Sequence, residues 1–128
     1  MLLWLTQQGT SDLTISDWVI TEFASALSVK VRMGRLSVAN RAKAASLFTR
    51  LQGDSIAVMP ITRDHFLAAA RFANQSGLGL RAGDALHVAV AAELGATICT
   101  MDKRMAERRS MRCNNLAHDF LPPNQATP

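Results

Sequence analysis

A chain of 128 residues is long enough for one domain with one core, and 48% apolar with 19% charged residues excludes a disordered chain. No apolar run reaches the roughly 18 residues of a membrane span, and the opening Met-Leu-Leu-Trp-Leu lacks the basic leader and the length of a signal peptide. Two cysteines, Cys99 and Cys113, are too few for a disulfide scaffold and lack zinc-type spacing, which suits a reduced cytoplasmic protein, and a net charge of +4 is as compatible with nucleic acid as with a solvated basic surface.

Residues 2–8 read as a short helix or the remnant of one. Asp12 to Ile15 is a short strand. Ser16 is a good cap for a helix from Asp17 to Met33, in which Val19, Ile20, Phe23, Leu27 and Val31 keep helical spacing. Gly34 ends it. Ser37 caps a second helix to about Gln52, with Arg41, Lys43 and Arg50 on an exposed face, and Gly53-Asp54 is a turn. Ile56 to Ile61 is a strand, and Thr62 caps a helix to about Ser76. A glycine-rich turn then leads into an almost wholly apolar, buried helix from about 82 to 94, closed by Gly95 in the left-handed conformation. Ala96 to Met101 reads as a strand ending at Asp102, with Cys99 as a small buried hydrophobe. A short basic helix, Lys103 to Arg109, follows. The spacing gives one domain over 1–121 and a loose tail over 122–128. Helices alternating with short strands make the class α/β with a mainly parallel sheet.

Three acids stand at positions with chemical potential. Asp84 lies in the first turn of the buried helix, where a cap or helix-dipole support is the plain reading. Asp102 could likewise cap the helix that starts at Lys103. Glu22, among Trp18, Val19, Phe23 and Ala26, is expected at the edge of a buried face, where a carboxylate needs a partner or a metal. Together, three carboxylates at one end of a sheet repel one another unless a cation neutralises them, and hard oxygen ligands suit Mg²⁺ or Mn²⁺. His87, one turn past Asp84, reads better as a hydrogen-bonded core or edge residue than as a ligand or base. The basic run Lys103, Arg104, Arg108, Arg109 and Arg112 is either a solvated face or a set of phosphate contacts. Lys30, Arg32 and Arg35 read as C-terminal dipole support or as phosphate contacts. A helix-turn-helix over 62–94 is disfavoured, because the second helix is too apolar to read base edges.

The segment Leu80-Arg81-Ala82-Gly83-Asp84-Ala85-Leu86-His87, then Thr100-Met101-Asp102, with Ile15-Ser16-Asp17-Trp18-Val19-Ile20-Thr21-Glu22 upstream, resembles the PIN-domain toxins of the VapC type. The resemblance runs from about Leu13 to Arg109 and rests on the order Glu, Asp-Ala-Leu-His, Thr-x-Asp. It implies a PIN-like α/β/α sandwich and a bacterial endoribonuclease toxin that hydrolyses RNA with Mg²⁺ or Mn²⁺. A VapB-type antitoxin and a homodimer are the implied partners. Carried over by position, Glu22, Asp84 and Asp102 are the implied metal-binding and catalytic acids. Thr100 matches a polar residue next to the last acid, while His87 as a further supporting residue and Lys103 and Arg104 as RNA contacts are candidates from the reading of the residues themselves. The family's opening strand with its Asp-Thr-Ser motif has no counterpart here. The expectation is that about the first 20 to 25 residues of the pattern are missing from this sequence, judged from strand and helix lengths, either because its start is placed too late or because the chain is a shortened member. A shortened member that binds antitoxin or a dimer partner without cutting is therefore the alternative expectation.

Overall fold

The computed structural model describes residues 13–100 of the chain. They belong to two compact units, one ending at Pro60 and the other starting at Ile61. The expectations at residues 2–8, at Met101 to Arg109, at Cys113 and in the tail lie outside the described residues.

The first unit runs β1 (Thr14–Ser16), α1 (Asp17–Arg32), α2 (Val38–Asp54), β2 (Ala57–Met59). The two strands pair in parallel, Thr14 opposite Ala57 and Ser16 opposite Met59. A parallel pair needs a long crossover, which the two helices supply. The expected apolar stripe of α1 is real in phase: Val19, Ile20, Phe23, Leu27 and Val31 are half-buried. Even so, no residue of α1 or α2 is fully buried. The rings of Phe23 and Phe48 stack with centroids 4.0 Å apart and join the two helices. Gly34, at φ 67°, ends α1: its amide donates to Val31 O and the Arg35 amide to Lys30 O, a Schellman closure that satisfies two helix-end carbonyls.

Caps formed unevenly. Ser37 Oγ accepts from the Asn40 amide at 3.1 Å, as its position predicts. Ser16 occupies the cap position of α1, but its side chain caps nothing; it is buried, and its Oγ has no partner. Gly53 and Asp54 belong to the last turn of α2 rather than to a turn after it.

The second unit holds α3 (Arg63–Ala73), a 3₁₀ turn (Ser76–Leu78) and α4 (Ala82–Leu94). All the fully buried apolar side chains among the described residues lie here: Ala69 and Phe72 of α3, Leu78, and six residues of α4 between Ala85 and Ala91. The expectation of a buried apolar helix is met. Gly95, at φ 59°, closes α4 by the same Schellman pattern, with Gly95 N donating to Ala92 O and Ala96 N to Ala91 O.

Beyond it, residues 96–100 form no strand, contrary to expectation. The Ala96 amide is already used in closing α4, and a strand exists only through a ladder with a neighbour. Cys99 is exposed rather than buried, for the same reason.

Candidate active site

Asp84 is the third residue of α4, half-buried, and its Oδ2 accepts from the Arg81 backbone N–H at 3.1 Å. This is the carboxylate half of a capping box, formed because a helix leaves its first amides unpaired. The capping reading of Asp84 is therefore correct as structure, and it does not exhaust the group. A carboxylate has about four lone-pair directions, so one amide leaves it able to ligate a cation. His87 lies one turn further along α4 and is half-buried.

Glu22 sits on α1 and is exposed, not at the edge of a buried face. At 100° per residue it lies roughly 130° from the centre of the Val19–Val31 stripe, on the face it shares with Trp18 and Ala26 four residues to either side. An exposed carboxylate needs no buried partner, which removes the burial argument for a metal at this residue alone. Thr100 is half-buried in the irregular segment after Gly95. Asp102, Lys103 and Arg104 lie outside the described residues. Among the described residues no three His, Cys, Asp or Glu side chains converge as a metal site. The donor chemistry itself, carboxylate oxygens, fits a hard divalent cation such as Mg²⁺ or Mn²⁺.

Sequence reasoning passed over one constellation. His65 is 2% exposed, and its Nδ1 accepts from the Thr62 backbone N–H at 3.0 Å. Thr62 Oγ1 accepts in turn from the His65 amide at 3.4 Å and lies 3.1 Å from Nδ1. This is a capping box with histidine where Glu or Gln is usual. An Nδ1 that accepts from an N–H is unprotonated, so in the neutral ring the proton is on Nε2. That nitrogen faces Glu93 Oε2 at 2.7 Å, close in distance but short of the alignment of a hydrogen bond. Glu93 reads as a surface acid in the sequence and is in fact 57% exposed, with its carboxylate turned onto the buried ring. The signal was present in part: Thr62 and His65 stand at capping-box spacing. The partnership with Glu93 was not, because it joins residues 28 positions apart.

With these positions set, a family model described as the PIN domain matches residues 2–110, most of the chain. The chain belongs to the PIN domain family. PIN domains are generally nucleases, so this PIN domain has a nuclease-type fold of α/β class, with its strands in parallel. The matched span includes Glu22, Asp84 and Asp102. A search of curated proteins returns no match. No helix among the described residues is long and apolar enough to cross a membrane.

Proposed function

We propose that this PIN domain is a divalent-metal-dependent endoribonuclease, the toxin of a VapC-type toxin–antitoxin pair. One observation carries the reading: Glu22, Asp84 and Asp102 follow one another in the family's order inside the matched span 2–110. These three acids would hold Mg²⁺ or Mn²⁺. The ion, when bound, makes water a better nucleophile and offsets charge on the phosphodiester. The chain's own residues orient the groups. The Arg81 amide fixes the rotamer of Asp84 through Oδ2. Thr100 and His87 stand beside the acids in sequence and support them, while Lys103 and Arg104 take RNA phosphates. A VapB-type antitoxin, a homodimer and a cytoplasmic setting complete the proposal.

The test is cleavage of single-stranded RNA by the purified chain with Mg²⁺ or Mn²⁺, with EDTA, and as Asp84→Asn. Cleavage that needs the ion and falls at least about a hundredfold in Asp84→Asn is expected; metal and electrostatic contributions to such transition states are of that size. Equal cleavage by the variant, in protein freed of contaminating nuclease, overturns the assignment. A chain that binds antitoxin but cuts nothing overturns the enzymatic reading.

A further inference from the structure

The charge of this chain is unevenly placed. From Phe23 to Gly53 there is no Asp or Glu, and six cations stand there: Lys30, Arg32, Arg35, Arg41, Lys43 and Arg50. The whole chain carries only +4, so everything outside this stretch is net acidic. All six cations are exposed, and among the described residues none has a carboxylate partner. Five of them, Lys30 to Lys43, surround the closed end of the α1–α2 hairpin.

Helix electrostatics explain only two of the five. Lys30 and Arg32 lie in the last turn of α1, where cations are favoured. Arg35 is in the linker. Arg41 and Lys43 lie just beyond the first turn of α2, which has no acid of its own. Positive charge there gains nothing from the helix dipole, whose effect is confined to the first and last turns. Helix electrostatics therefore supply no reason for these three side chains.

We propose that the closed end of this hairpin binds the phosphate backbone of single-stranded RNA, as a second contact apart from the acidic residues. The proposal rests in one respect on the nuclease reading above, which supplies the substrate class. Two observations favour a flexible polyanion over a folded acidic partner. The cations wrap the hairpin end instead of lining one face, since Arg41 and Lys43 point roughly 160° apart around α2 at 100° per residue. Their distance from Glu22 also suits a strand passing along the helix: Lys30 is eight residues further on, about 12 Å at 1.5 Å per residue.

The probe is a fluorescent, cleavage-resistant 2′-O-methyl single-stranded oligonucleotide of mixed sequence. Its anisotropy is read in EDTA against salt, with the full chain. The triple variant Arg35→Glu/Arg41→Glu/Lys43→Glu should bind at least about tenfold more weakly. The slope of log affinity against log salt should shrink by about two, the share of three phosphates on a single strand. Arg63→Glu, at an exposed cation outside the hairpin, should weaken binding by less than about twofold, which separates this surface from charge in general: if the chain never cleaves yet the triple variant loses binding, the surface stands while the nuclease reading falls. The neutral triple Arg35→Gln/Arg41→Gln/Lys43→Gln, with unchanged helical circular dichroism, should show an intermediate loss. Wild-type affinity and slope in a folded triple variant overturn the proposal. So does a wild-type chain that ignores the oligonucleotide but captures an acidic peptide through these same residues.

Discussion

A carboxylate at the third position of a helix serves the helix before it serves any ligand, and Asp84 shows how to separate the two. Asparagine keeps an acceptor for the Arg81 amide and loses the charge. Alanine loses both. On the proposed reading, Asp84→Asn should therefore lower cleavage at least about a hundredfold with little change in melting temperature. Asp84→Ala should lower it as far and also reduce stability by roughly 0.5–1 kcal/mol, the scale of a cap and its dipole contribution. Thermal denaturation of the two variants checks this. His65 presents the opposite case. Its ring is buried, caps α3 through Nδ1, and faces an acid that is mostly in water. His65→Ala should cost roughly 2–4 kcal/mol, from the cavity and the lost cap together. Glu93→Gln should cost under about 1 kcal/mol, because its carboxylate is largely solvated. Urea unfolding of both variants decides it. Equal losses would show that the contact with Glu93, and not the ring's packing and capping, dominates at this position.

At the scale of elements, what the sequence disclosed followed from local chemistry. The helix after Ser16 was readable from apolar spacing and the one before Gly95 from its unbroken apolar run, while the two between were readable from Ser37 and Thr62, caps that the structure forms. Gly95 was readable as the end of α4, and its φ of 59° bears that out. No neighbour crowds the space a Cβ would fill at Gly95, so a substitution there pays only for backbone conformation. Gly95→Ala should cost about 1 kcal/mol, and Gly95→Asn clearly less, since Asn tolerates the left-handed region. Equal costs in chemical denaturation would mean that something other than φ sets the requirement. What stayed hidden was long-range. The strand expected over Ala96–Met101 depended on a ladder that spacing cannot supply. The Glu93–His65 contact depended on how two helices pack. Glu22 is different: its angle from the centre of the Val19–Val31 stripe was legible on the helix all along, and Trp18 on its own face, four residues back, obscured it. The family's acidic order was legible at Glu22, Asp84 and Asp102, and their use as one site remains the proposal that mutation must test.

At the scale of the molecule, the described residues divide burial and charge between two units. The second unit holds the buried apolar side chains of α3 and α4. The first holds a hairpin with none and with six exposed cations. Segments with few buried contacts open locally at low free-energy cost, so the hairpin is the part of the described chain most ready to unfold by itself. Trypsin cuts after Lys and Arg in opened backbone, and the linker carries Arg35 between two helix ends that hold Arg32 and Arg41. The residues suited to hold a nucleic acid are thus also the first expected scissile points among the described residues. Limited tryptic digestion should nick the chain between Lys30 and Lys43 before it touches Arg63 or Arg71, and a bound oligonucleotide should slow that first cut. A strand of RNA would then act as a shield for the protein that engages it, lengthening the survival of the hairpin while it is held.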